Sequence, residues 1–223
     1  MAISIQGTTC YAAFTPDLVL ESIARYDNFR LWPYHTLSER IQNVSSARPI
    51  IFLDMDDVLC LSDQFGSLEM LRIIQQEIPD RPELWAGLVN GEAAANLYEL
   101  HLDFMPWYVI SSSWATYLDH DQMCQALTRT KLQFVVDNLH SEWRTPRALS
   151  SSRRDEVEWW LDAHHKPEQP FLVIDDSYSG TGLAYSPLAL NGHVLLCRSG
   201  YGFTKKRLKE ARYQLRRQLK DDI

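Results

Sequence analysis

No stretch of this 223-residue chain approaches the roughly 20 consecutive apolar residues needed to cross a bilayer as a helix, so nothing in its composition points to a membrane protein. The opening residues, "MAISIQGTTC", lack the basic start and continuous apolar run of a secretory signal, and a cytoplasmic setting is the expectation. Cysteine is scarce: Cys10, Cys60, Cys124 and Cys197 show no paired spacing, which argues against a zinc finger or a disulfide framework and for free thiols. The seven histidines form no metal-spaced set either. Net positive charge is absent. At a formal charge of −7 the chain has no global attraction to nucleic acid, and any such contact would need a local basic patch. The one candidate patch, "KKRLKEARYQLRRQLK" at residues 205 to 220, carries Leu208, Ala211, Leu215 and Leu219 at helical spacing. It therefore reads as the solvated face of a terminal amphipathic helix before it reads as a nucleic-acid arm. Internal repeats and low-complexity tracts are missing too.

What is present is alternation. The length suits one main domain. From residue 50 onward, short apolar runs rich in β-branched and aromatic residues recur: "PIIFLD" (49–54), "WYVISS" (107–112), "LQFVVD" (132–137), "PFLVIDD" (170–176) and "HVLLCRS" (193–199). They lack the apolar/polar alternation of a half-exposed strand and predict burial on both faces. Between them lie helical patterns, "AAANLYELHLDF", "WATYLDHDQMCQALTRT" and "RRDEVEWWLDAHH", with another from Thr204 to the end. This order predicts an α/β protein with a parallel sheet of about five strands flanked by helices. Residues 1–47, with a helical pattern in "PDLVLESIAR", are expected to form an N-terminal helical extension of unassigned role, leaving 48–223 as the main domain.

The first of these strands ends in three carboxylates, Asp54, Asp56 and Asp57, and the fourth in Asp175 and Asp176. In an open parallel sheet the ligand site lies beyond the carboxyl ends of the strands, where the strand order reverses. If those strands are neighbours, the aspartates meet Ser111 to Ser113 at one edge. Clustered carboxylates repel one another and are stable only with a cation between them; with oxygen donors and no accompanying histidine or cysteine, Mg²⁺ fits best. A carboxylate in such a setting can act as a nucleophile toward phosphorus, a second can serve as acid and base, and hydroxyls and a guanidinium can hold the phosphoryl oxygens. Arg153 and Arg154, opening a helix, are placed for that last task. Taken singly, each motif also has an ordinary structural reading. Strand-end Asp and Ser residues cap helices and turns, Trp114 is expected to pack in the core before it stacks on a base, and arginine pairs are commonly surface charges.

The ordered set "FLDMDDVL", "VISSS", the helix "RRDEVEWWL" and "FLVIDD" resembles the four motifs of the haloacid dehalogenase (HAD) superfamily of phosphohydrolases. The serine triplet followed by tryptophan, the "R..EV..WL" helix and the late "GFT" turn resemble more closely the HAD domain of Swiss Army Knife RNA repair proteins, over about residues 48 to 212. The resemblance implies a Rossmann-like fold with a small cap insertion near residues 61–90. It implies Asp54 as nucleophile and metal ligand, and Asp56 as acid/base whose backbone carbonyl also binds Mg²⁺. Ser111, or its neighbour Ser112, matches the phosphate-binding hydroxyl, Arg153 or Arg154 the phosphate-binding cation, and Asp175 and Asp176 further metal ligands. Asp57 departs from the family, whose members commonly carry glycine there.

A small insertion would leave the site open to a large substrate, because full caps enclose small metabolites. The expectation is a Mg²⁺-dependent phosphomonoesterase acting on a phosphorylated nucleic-acid end. The alternatives are a small-metabolite or nucleotide phosphatase and a non-catalytic phosphate-binding or interaction module. The oligomeric state has no sequence signal.

Overall fold

The computed structural model of the chain describes residues 48–61 and 66–220. The expected helix in "PDLVLESIAR" and the proposed extension fall outside these residues. Strand β1 (Ile50–Leu53) is apolar and buried at every position, which requires neighbours on both edges and cover on both faces. It has both. Among the described residues five strands, β1, β2 (Trp107–Ile110), β3 (Leu139–Arg144), β4 (Phe171–Asp176) and β5 (Val194–Cys197), form an all-parallel sheet in the order β3-β2-β1-β4-β5.

The alternation of side chains along β1 divides the core in two. Ile51 and Leu53 join Ile110, Leu172 and Ile174 on one face. There they meet α1 (Ser67–Ile74), α2 (Pro82–Leu88), α3 (Gly91–Phe104), α5 (His120–Arg129) and α9 (Lys205–Lys220). Ile50 and Phe52 join Val109, Phe171 and Val173 on the other, beneath Val157 and Trp160 of α7 (Arg153–His164), with Leu188 and Ala189 of α8 (Pro187–Leu190) packed against them. Phe52 packs edge-on against Trp160 with ring centroids 5.1 Å apart. Each such fully buried side chain contributes about 1.5–3 kcal/mol of transfer free energy.

The connections carry the sequence pattern with two departures. "LQFVVD" at 132–137 is not a strand: Gln133–Val136 forms a short helix, α6, and the third strand is Leu139–Arg144, "LHSEWR". The β-branched pair misleads because Leu132 and Val135, spaced three apart, are both buried on one helical face. Among the described residues the true β3 is an edge strand, paired only with β2 and half exposed, so it needs no continuous apolar run. The second departure is in "WATYLDHDQMCQALTRT", which splits into α4 (Trp114–Tyr117) and α5 where Asp119 caps the second helix in a reciprocal pair with Gln122.

The insertion after β1 supplies α1 and α2, whose buried Met70, Ile73, Ile74, Leu84, Trp85 and Leu88 belong to the main core. Asp80 pins it to α5, accepting from the Trp85 indole at 2.8 Å and from Arg129 at 2.5 Å. The terminal helix α9 buries Leu208, Ala211 and Leu215, and Arg212 pairs with Asp103 and Glu99 of α3. The described cysteines, Cys60, Cys124 and Cys197, are free thiols, and among the described residues no helix is long and apolar enough to cross a membrane.

Candidate active site

The chain visits β1, β2 and β3 in one direction and then returns to place β4 on the other side of β1, so the strand order reverses between β1 and β4. That is where a parallel sheet opens a crevice at its carboxyl edge. Register fills the crevice. Leu53 pairs with Ile110 of β2 and with Ile174 of β4, so the next residues, Asp54, Ser111 and Asp175, stand side by side. Backbone bonds fix the row: Asp54 N–H donates to Ile174 O at 3.0 Å and Ser111 N–H to Leu53 O at 2.9 Å.

Asp54, Asp175 and Asp176 are all buried and each offers an oxygen within 4.8 Å of the others. Arg153, the first residue of α7, reaches into this group: its Nε donates to Asp175 Oδ2 at 2.9 Å and its Nη2 lies 3.7 Å from Asp54 Oδ1. Its Nη1 donates to the buried Glu156 at 2.8 Å, and Glu156 in turn accepts from Ser151 Oγ. Arg154 points elsewhere, donating to Glu158 at 2.7 Å on the exposed side of the helix. Of the two arginines, the structure brings only Arg153 to the aspartates.

One buried guanidinium does not balance these carboxylates. Burial and the Asp175 charge hold the Asp54 carboxyl well above the usual carboxylate range, against the pull of Arg153 and the Ser112 hydroxyl. Burial likewise pushes Asp175 up, to about 6, with Arg153 opposing. Among the described residues, Asp54 Oδ2 and Ser111 Oγ are buried without a hydrogen-bond partner. Buried polar atoms are ordinarily satisfied. A cation among the three acids would engage the unpartnered oxygen of Asp54 and return its carboxyl to the ionised form, so the donor set, all hard oxygen, suits a metal ion. Ser112 is buried as well, its Oγ accepting from Trp114 N–H at 3.4 Å.

Asp56 is not one of the three. Its carboxylate is turned to a separate set of donors: Ser67 Oγ, Ser113 Oγ at 3.5 Å and the indole Nε1 of Trp114 at 3.2 Å from Oδ2. The grouping of its side chain with Asp54 and the β4 aspartates, expected from the sequence, is therefore not what the geometry gives. Asp57 has φ of 57°, the left-handed region that favours glycine and that Asp tolerates better than most residues. Its side chain leaves the site and accepts from Gly200 N–H at 2.8 Å.

Several site residues escaped the sequence reading. Glu156 was visible as the i+3 partner of Arg153, a spacing that places both on one helical face. Ser179, which donates to both Asp175 and Asp176, lies in a short 3₁₀ helix just past β4 that no sequence motif marks. Trp114 packs in the core as its sequence position predicts, 1% exposed, but its indole N–H reaches Asp56. Gly180 allows the turn after β4 to lie close, since a Cβ there would meet Leu196 Cδ2 at 2.7 Å.

Comparison with curated proteins and with solved structures finds no match. Residues 50–208, which include the carboxyl ends of all five strands and the start of α9, match the family described as the HAD domain in Swiss Army Knife RNA repair proteins, and the chain belongs to that family of HAD-type phosphohydrolase domains.

Proposed function

We propose that this protein is a Mg²⁺-dependent phosphomonoesterase in which Asp54 is the nucleophile and the substrate is a phosphate at a nucleic-acid end. The observation that carries the reading is the surroundings of Asp54: a buried carboxylate at the strand-order switch, with one unpartnered oxygen, beside the unpartnered Ser111 hydroxyl and within 3.7 Å of Arg153. Asp54, Asp175 and Asp176 would hold the metal, with the Asp56 backbone carbonyl as the family resemblance implies. Bound there, the cation supplies charge neutralisation that keeps Asp54 ionised and offsets the negative charge of the phosphoryl group.

The chain's own residues then have defined tasks. Ser111 Oγ and Arg153 hold the phosphoryl oxygens. An oxygen of Asp54 attacks phosphorus, the bond from phosphorus to the ester oxygen breaks, and the carboxyl proton of Asp56 passes to that oxygen, releasing an alcohol. Water then attacks the aspartyl-phosphate, gives its proton to the Asp56 carboxylate, and leaves inorganic phosphate with Asp54 restored. Glu156 keeps the Arg153 guanidinium in place.

Two facts favour a large substrate. The described part of the insertion consists of two short helices packed into the main core, and the family is one described from RNA repair proteins. The acidic net charge does not attract a polyanion, so a nucleotide or small phosphorylated metabolite is the second reading. Asp57, which stands where the family commonly carries glycine, turns its charge to the Gly200 backbone and away from the acids.

The test is phosphate release from p-nitrophenyl phosphate, nucleotides, sugar phosphates and 3′- and 5′-phosphorylated oligonucleotides, with Mg²⁺ and with EDTA, beside Asp54→Asn. Metal-dependent turnover that is highest on an oligonucleotide and absent in the variant is the expected result. Highest turnover on a small phosphate moves the reading to a metabolite phosphatase, and turnover that survives Asp54→Asn removes the mechanism.

A further inference from the structure

The Asp56 carboxylate is held from both sides by elements that do not carry the aspartates. Trp114 Nε1 lies 3.2 Å from Oδ2 and 3.3 Å from Oδ1. A donor almost equidistant from the two oxygens fixes the direction in which a carboxylate points, and donors to the separate oxygens fix its rotation. Ser113 Oγ approaches Oδ2 at 3.5 Å, and Ser67 Oγ donates to Oδ1. Trp114 opens α4 directly after the serine triplet, whereas Ser67 is the first residue of α1, in the insertion.

These donors differ in kind. An indole N–H donates and cannot accept, so Trp114 cannot exchange a proton with Asp56. A hydroxyl does both, so Ser67 and Ser113 can donate to the carboxylate and accept from the carboxyl once it is protonated. Trp114 is also immobile: it is 1% exposed and its ring is part of the main core. Other buried indoles here find ordinary partners, Trp160 a backbone carbonyl and Trp85 the structural Asp80. Trp114 instead spends its donor on the strand-end carboxylate two residues past Asp54.

We propose that Trp114 is the positioning residue for Asp56, orienting its carboxyl toward the leaving oxygen, and that Ser67 extends this hold to the insertion. The inference rests on the phosphatase reading. Its chemistry is the proton transfer already written: as phosphorus parts from the ester oxygen, the Asp56 proton moves to that oxygen. Misorientation of Asp56 therefore slows substrates in proportion to how much their leaving oxygen needs that proton. An alkoxide needs it strongly and p-nitrophenolate hardly at all. A role in packing alone would slow both alike.

The experiment measures kcat/KM, which reports steps up to the first irreversible one, for p-nitrophenyl phosphate and for an alkyl phosphomonoester such as a 3′-phosphorylated oligonucleotide, using full-length Trp114→Phe and Ser67→Ala. The ratio of the two kcat/KM values is expected to shift toward p-nitrophenyl phosphate by about tenfold or more in Trp114→Phe, within the range general acid catalysis supplies, and by a smaller factor in Ser67→Ala. An unchanged ratio in both overturns the proposal. If Trp114→Phe does not fold, the Ser67→Ala ratio decides. A second readout needs neither metal nor turnover: in ¹H–¹⁵N spectra of the metal-free protein, the indole signal lost in Trp114→Phe should move in Asp56→Ala. An unmoved signal overturns the contact itself. The phosphatase reading fails separately, by turnover that survives Asp54→Asn.

Discussion

Arg153 and Arg154 are adjacent, chemically identical and opposite in fate, because successive residues of a helix are rotated by about 100° and face different surroundings. Arg153 is turned toward Asp54, Asp175 and Glu156, and Arg154 toward Glu158 and solvent. The sequence offers the pair and the spacing of their partners: Glu156 three residues past Arg153, Glu158 four past Arg154. It does not say which partner is buried. Arg153→Ala is expected to lower kcat/KM by about 100-fold or more, the scale for losing a donor on developing charge. It also leaves buried acids without their cation, a change that costs about 3–5 kcal/mol where the remaining charge stays ionised. Arg154→Ala removes one exposed ion pair and should leave kcat/KM within about twofold and stability within about 0.5 kcal/mol. Equal losses in the two variants, compared by steady-state kinetics and urea unfolding, would remove Arg153 from its assigned place. Asp57 follows the same lesson. Its departure from the family's glycine is conformational in the fold: the position needs a positive φ, and aspartate meets that need.

At the scale of elements, legibility followed burial. β1, β2 and β4 lie within their apolar runs because interior strands of a parallel sheet are covered on both faces, and β5, an edge strand that is nonetheless mostly buried, is apolar for the same reason. β3 departs from the pattern because, unlike β5, it is an edge strand left half exposed, while the β-branched run before it serves a helix. The aspartates were legible for a related reason: only charge that a site requires interrupts such a run at its end. The contacts to Asp56 were not, since Ser67 and Trp114 lie 11 and 58 residues away and meet it only through the fold. The late "GFT" turn shows how an element far from the chemistry shapes its rim. Gly202 has φ of 65°, and a Cβ there would stand 2.7 Å from Val58 O, in the loop that follows Asp54 and Asp56. The next residue, Phe203, is buried and donates its N–H to that same carbonyl at 2.9 Å. Gly202→Ala therefore incurs both left-handed strain and a clash with backbone, and is expected to destabilise the protein by about 2 kcal/mol or more. A shift in the urea midpoint corresponding to under about 0.5 kcal/mol would mean the turn is looser than its geometry indicates.

For the whole molecule, the placement of three acids at the sheet's switch point ties stability to the ion the site is built for. Without a cation, Asp175 has its carboxyl raised to about 6 in the folded state, above the usual aspartate value near 3.9 in the unfolded chain. A raised carboxyl favours the fold while it is protonated, and that contribution is lost as pH rises through about 6. The metal-free protein should therefore lose stability from this group between about pH 4 and 7. On the proposed reading Mg²⁺ would bind the ionised acids, so its stabilisation should grow over the same range. At a concentration about 100 times its Kd it adds about 2.7 kcal/mol, which for a chain of this size raises Tm by about 5–10 °C. Asp176→Asn separates charge from architecture, since an amide oxygen can still accept from the Tyr178 and Ser179 N–H groups that Asp176 Oδ1 now serves. In that variant the metal-free Tm should stay at or above the wild-type value while most of the Mg²⁺-induced rise disappears. Thermal scans of both proteins at pH 5 and 7.5, with EDTA and with Mg²⁺, read all of these terms together. A wild-type Tm indifferent to Mg²⁺ at pH 7.5, or a rise undiminished in Asp176→Asn, would mean that the acids at the strand ends hold something other than this ion.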